Sequence, residues 1–148
     1  MPTPSIRSDA RIAIASRFWV TVDGIDLGGW SKVDGLKVSF KLYKYEPLGH
    51  NGHIPVLPDR LDYGQITLTR AINDKDSPKV RTWLAERAGG TSDGTGSITV
   101  LGADFQPVMG WGLRGVYPTE WSAQTLDAGG KNIALEVLKL AHEGFLDA

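Results

Sequence analysis

The sequence contains no cysteine among its 148 residues. That excludes a disulfide framework, thiolate metal sites and cysteine nucleophiles. It also lacks a charge surplus, with 16 Lys and Arg against 17 Asp and Glu and a formal net charge of −1. Without an excess of either sign, there is no generic electrostatic case for nucleic acid or an anionic membrane as partner. Long apolar runs are missing too. Arg7 and Arg11 are followed only by the short run Ile12 to Ala15, whereas a secretory leader needs about 7–15 apolar residues. No stretch approaches the ~18 apolar residues of a membrane span. The expectation is a soluble protein without a cleavable leader, and one with little self-repulsion to oppose association.

What is present is a foldable chain rich in turn residues. Apolar residues make up 41% of it, with 18 Gly, 8 Pro and 5 Trp. An average composition of about 7% Gly would supply only about ten. The length fits one domain that buries about 68–70% of its unfolded surface.

Hydropathy alternates with period two along most of the chain. Phe18, Val20 and Val22 oppose Trp19, Thr21 and Asp23, which predicts a strand closed by the Asp23-Gly24 turn. Gly28-Gly29 reads as a second break. Leu36, Val38, Phe40 and Leu42 oppose Lys37, Ser39, Lys41 and Tyr43, the pattern of a half-buried strand with a basic outer face. Residues 46–60 carry Pro47, Pro55 and Pro58 with Gly49 and Gly52, and read as an extended loop. A strand follows over about 61–70.

Helical spacing is confined to 77–88. There Ser77 is the expected N-cap, Pro78 sits at N1, and Val80, Trp83, Leu84 and Ala88 share a face ahead of the Gly89-Gly90 stop. Further strands are predicted from Ile98 and Val100 (broken by Asp104 and Pro107), at 109–113, at 116–125 (an edge or bent strand because of Pro118) and at 132–142. In the last of these Ile133, Leu135 and Val137 oppose Leu138 and Leu140, so both faces are covered. About seven strands and one helix predict a mainly β, α+β protein: an antiparallel β-barrel with one flanking helix.

Catalytic chemistry is hard to find. His50 and His53 flank Asn51-Gly52, but no third ligand stands nearby and they read as solvated loop histidines. Gly90, Gly94 and Gly96 lack phosphate-loop spacing, and the helix precedes them rather than following. Asp74 and Asp76 lack the rest of a calcium loop and are better read as anions near the helix N-terminus. Lys37, Lys41, Lys44 and Arg60 with Tyr43 and Tyr45 form a basic, aromatic face that reads as an edge-protecting or inter-subunit surface. No catalytic residue, metal ligand or cofactor site emerges.

The ordered set Arg17 to Gly24 (RFWVTVDG), Gly29 to Leu36 (GWSKVDGL), Leu57 to Ile72 (LPDRLDYGQITLTRAI), Trp83, Gly96 to Leu101 (GSITVL), Trp111, Val116 to Ser122 (VYPTEWS) and Asn132 to Phe145 (NIALEVLKLAHEGF) is distinctive. It resembles the tail-tube proteins of contractile phages and the inner-tube proteins of phage-tail-like contractile injection systems, which are related to the type VI secretion tube protein. The resemblance implies a flexible arm over 1–16 and a barrel domain over 17–146. By the same resemblance, copies of the domain are expected to form hexameric rings that stack into a hollow tube, driven through a target envelope by sheath contraction to deliver effector proteins or DNA.

Implied partners are the chain itself, sheath subunits, the baseplate or spike hub, a tube terminator or cap, and lumen cargo. Sequence-specific nucleic acid and membrane insertion are not expected. The resemblance implies assembly in the cytoplasm without a signal peptide, and a place in a phage tail or phage-like particle that reaches the exterior after lysis. Leu48, Ile54, Val56 and Leu57 are the candidate apolar contacts between rings or subunits, with His50 and His53 beside them and Lys37 and Lys41 as charged contacts. The alternative reading is a soluble β-barrel binding module for a ligand or cargo protein.

Overall fold

Tight glycine turns and alternating apolar residues build this protein from antiparallel strands. The computed structural model describes residues 17–44, 52, 56–90, 94–124 and 133–146. Its strands are β1 (Phe18–Val22), β2 (Ile25–Trp30), β3 (Lys32–Asp34), β4 (Val38–Lys44), β5 (Val56–Tyr63) and β6 (Ile66–Ala71), then β7 (Gly96–Leu101), β8 (Pro107–Leu113), β9 (Tyr117–Gln124) and β10 (Leu135–Ala141). Helix α1 (Ser77–Ala88) lies between β6 and β7.

Two four-stranded sheets form, in the orders β2-β1-β7-β8 and β3-β6-β10-β9, and β4 pairs with β5 in a separate two-stranded ribbon. The mainly β, antiparallel class with one flanking helix is as expected. Among the described residues the sheets do not close into a barrel.

Between the two sheets lies the core. Val20, Val22, Leu27 and Ile98 face Ile66, Leu68, Leu138 and Leu140, while Val80 and Trp83 of α1 join the same cluster. The helix has the predicted limits, but Asp76 occupies the N-cap without a side-chain cap bond. Ser77 is the first helical residue instead. Its Oγ accepts the Asn73 N–H at 3.0 Å and donates to Glu136. Asn73 takes over local turn formation, its Oδ1 accepting the N–H groups of Lys75 and Asp76.

Five further expectations need correction. Gly28-Gly29 does not break the chain but lies inside β2, opposite a register shift in β1. Gly28 holds φ +84°, and a Cβ there would sit 2.4 Å from the Asp76 carboxylate. The predicted strand at 61–70 is two strands in different sheets, divided at Gly64-Gln65. Residues 56–60 are strand rather than loop. Pro58 lies opposite Leu42 at a register shift in a two-stranded ribbon, the kind of bulge or edge position at which a strand accommodates proline.

Ile133 precedes β10 and is exposed, although Val137 and Leu138 bear out the covering of both β10 faces. The fifth correction concerns β4. Its alternation is as read, but Phe40 and Leu42 are 65% and 60% exposed, because β4 leaves the four-stranded sheets and, among the described residues, pairs with β5 alone.

The contrast between two leucines tests this core. Leu138→Ala is expected to lower the unfolding free energy by about 2–5 kcal/mol, the cost of a core cavity. Leu42→Ala in the unassembled subunit should stay within about 0.5 kcal/mol. Chemical denaturation of both variants checks the pair. Equal losses would contradict the placement of β4.

Candidate assembly surfaces

The inside of the subunit is held by one buried ion pair. Ile66 and Leu68 point into the core, so the period of β6 sends Arg70 in with them. On the neighbouring strand Glu136 is in phase with Leu138 and Leu140, and the register places it directly opposite Arg70. Arg70 Nε donates to Glu136 Oε2 at 3.0 Å, with both side chains buried.

Each partner then reaches other elements. Arg70 Nη1 donates to the carbonyls of Leu27 and Gly29 in β2, and its guanidinium lies 3.9 Å from the Trp30 ring centroid. Glu136 accepts from Ser77 Oγ in α1 and, at 3.1 Å, from Trp121 Nε1 in β9. One ion pair therefore joins both four-stranded sheets and the helix. A second tether runs through the first turn, where Asp23 accepts Trp83 Nε1 at 2.7 Å and the Thr95 N–H at 3.1 Å.

Against this rigid body stands the ribbon. Phe40 pairs with Leu61 and Leu42 with Pro58, so these side chains share one apolar face. The other face is mixed, with Tyr43 opposite Leu57 and Lys41 bridged to Asp62 at 3.5 Å. Phe40, Leu42, Tyr43, Val56, Leu57 and Leu61 are all exposed. A contiguous apolar face open to water marks an interaction surface. Among the described residues no further strand pairs with the outer sides of β2 and β8 in one sheet or of β3 and β9 in the other, although Arg70 takes the Leu27 and Gly29 carbonyls of β2.

Of the candidate contact residues, Val56 and Leu57 lie on the ribbon, Lys41 crosses it, and Lys37 is exposed just before it. Leu48, His50, His53 and Ile54 fall outside the described residues. Among the described residues no group of three His, Asp or Glu side chains is placed to hold a metal ion, and no helix is long and apolar enough to cross a membrane.

The hydropathy reading passed over the Arg70–Glu136 pair and the foot of the ribbon. Charged residues in phase with apolar neighbours were the available signal for the pair. At the foot, His142 packs edge-on to Tyr63 with centroids 5.4 Å apart, and Phe145 meets Tyr63 at 5.1 Å. His142 Nε2 bonds the Gly64 carbonyl at 3.1 Å, so the neutral ring carries its proton on that nitrogen. Burial pushes the His142 pKa below the ordinary value of 6.5, and the backbone at Gly64 and Gly144 opposes this only in part.

The family model of T4-like virus tail tube protein gp19 matches residues 15–146. No curated protein matches the sequence. Among solved structures, the chain is similar to one in the sheath–tube complex of the extracellular contractile injection system PVC in its extended state. The TM-score is 0.72 at 18% identity, over 91% of this chain and 90% of that one. A chain of the PVC sheath/tube terminator gives 0.72 at 18%, over 94% and 98%. One of the anti-feeding prophage baseplate gives 0.66 at 20%, over 97% and 95%. At these identities the likeness is one of fold.

Two outcomes follow from the buried pair and the buried ring. Glu136→Gln should cost about 3–5 kcal/mol in denaturant unfolding, because it leaves the Arg70 charge buried without a counter-ion; a loss under 1 kcal/mol would contradict the central role of the pair. The second outcome concerns pH. With its folded pKa lowered, the His142 contribution is fully present above about pH 6.5 and is lost as pH falls from there toward the folded value. His142→Gln should therefore flatten the stability profile between pH 7.5 and 5.5. An unchanged slope would show that the ring is not desolvated.

Proposed function

The chain belongs to the T4-like virus tail tube protein gp19 family, and from that premise we propose that its copies form six-membered rings which stack into the hollow inner tube of a contractile injection machine. Its role is structural rather than catalytic. The observation that carries the reading is the ribbon, whose apolar face, formed by Phe40, Leu42, Pro58 and Leu61, is exposed. A contiguous exposed apolar face of this kind marks a site of association.

Ring formation uses the open edges. Strands at the ends of both sheets can pair with strands of the next copy, and a head-to-tail contact closes when its rotation permits. The sheets that stay open in one subunit thus complete a barrel around the ring. The anti-feeding prophage baseplate, which contains a similar chain, is described as 6-fold symmetrised, in keeping with six copies per ring.

Ring-to-ring contact falls to the ribbon and the adjoining residues 46–55, where Leu48, Ile54, Val56 and Leu57 supply apolar contacts and Lys37 and Lys41 set the register. The similar chains come from a sheath–tube complex, a sheath/tube terminator and a baseplate. Sheath, baseplate or spike hub, and terminator are the corresponding partners here. Sheath contraction then drives the tube through a target envelope, and effector proteins or DNA pass along its lumen. Assembly takes place in the cytoplasm, and the tube is carried in a phage or phage-like particle.

Negative-stain imaging tests the proposal. Concentrated wild-type protein is expected to show six-fold rings and stacked tubes. The double variant Leu42→Asp with Leu57→Asp should keep its circular dichroism spectrum and still form rings, but yield no tubes. Tubes of normal length from that variant, or a wild type that stays monomeric at high concentration, would overturn the reading.

A further inference from the structure

The two four-stranded sheets differ in what their edges can still do. A sheet that runs head to tail from copy to copy needs both of its outer strands open. In the sheet β2-β1-β7-β8, β2 is engaged from within its own subunit. Arg70 takes its Leu27 and Gly29 carbonyls, and Asp26 Oδ1 accepts the Gly28 N–H at 2.9 Å. Helix α1 packs beside the same strand, with the Asp76 carboxylate in the space a Gly28 Cβ would need. The sheet β3-β6-β10-β9 has no such obstacle. Among the described residues no side chain or loop takes the backbone of β3 or β9 away from its ladder. Where α1 meets β9 it does so through side chains, the Arg87 guanidinium lying 4.7 Å from the Tyr117 ring centroid.

Ring geometry then sorts the layers. At about 4.8 Å per strand, six four-stranded sheets joined edge to edge span a circle of about 115 Å. A second layer packed about 10 Å farther out has about 180 Å to span with the same number of strands. Strand tilt enlarges both circles and leaves the gap. Only the inner layer can close, so the sheet with both edges open belongs there.

Its core side chains, Ile66, Leu68, Leu138 and Leu140, point toward the other sheet, and the alternate positions point the opposite way. Those positions carry short hydroxyls, Thr67 and Thr69 in β6 and Ser122 in β9. Lys32, Asp34, Glu120 and Lys139 lie in the same two cross-strand rows. Their charges cancel and pair on the face itself, Lys139 with Glu120 at 2.9 Å and Lys32 with Asp34 at 3.9 Å.

We propose that the sheet β3-β6-β10-β9 is the inner wall of the tube and that its exposed face lines the lumen, an assignment that rests on the ring reading. A wall of short hydroxyls and self-paired charges presents a passing polar cargo with no net charge to hold it.

The absence of cysteine lets a single introduced thiol report on each face. Thr69→Cys and Ser122→Cys mark the assigned wall. Thr99→Cys marks the exposed face of the other sheet, because Thr99 alternates with the buried Ile98 and Val100. Each variant is reacted, dispersed and assembled, with a small maleimide and with a maleimide on a globular carrier too wide to enter the tube. Imaging of wild type and variants first establishes that tubes are present.

Assembly is expected to abolish carrier labelling of Thr69→Cys and Ser122→Cys while the small reagent still reaches both. Thr99→Cys should stay open to either reagent. Carrier labelling of the two wall thiols that survives in tubes, or its loss at Thr99→Cys, would overturn the assignment and leave the ring reading in place. Exclusion of the small reagent from the wall thiols would overturn it too, because that face would then be buried between copies. Wild-type protein that forms no tubes would remove the ring reading itself, and this assignment with it.

Discussion

The fold depends on the Arg70–Glu136 ion pair more than on any other polar contact. Removing two charges from water is costly, and the attraction between them repays that cost only when the remaining donors and acceptors are also satisfied. Here the satisfying groups come from separate elements: the Leu27 and Gly29 carbonyls in one sheet, Trp121 in the other, and Ser77 in the helix. The pair consequently specifies how the sheets and helix meet, a task that apolar packing alone performs with less precision. A tube subunit needs such a fixed interior, because small errors in sheet angle would accumulate around a ring.

What the core fixes, the surface leaves open. Among the described residues no further strand covers the outer edges of the two sheets, and the ribbon carries its apolar face into solvent. Monomeric proteins guard against both features, since each invites association. The near balance of 16 basic and 17 acidic residues removes a further obstacle, because like-charged copies would repel at every interface. Closed interior and unfinished exterior are complementary properties of a part made for repetition.

Much of this was legible in the residues, and the rest failed for identifiable reasons. Pro78 and Gly89 delimit α1 because helix start and stop are set by local backbone chemistry. The β4 alternation gave the correct face, Phe40 with Leu42, but burial depends on what covers a face, and a single chain does not carry its neighbour. Gly28 read as a break because its role, close passage under Asp76, is tertiary. The motif residues Arg70 and Trp121 were visible as part of a family pattern, while their meeting at Glu136 needed strand register. Half of the candidate contact residues, Leu48, His50, His53 and Ile54, lie outside the described residues.

The central claim is that the ribbon and the sheet edges are assembly surfaces around a rigid core. Hydrogen exchange measured on the same protein before and after assembly tests it most directly. The account predicts that amides of β4, β5 and the edge strands gain strong protection on assembly, while those of β6 and β10, already protected, change little. Exchange in β4 and β5 that remains as fast in the assembled state as in the dispersed one would contradict it.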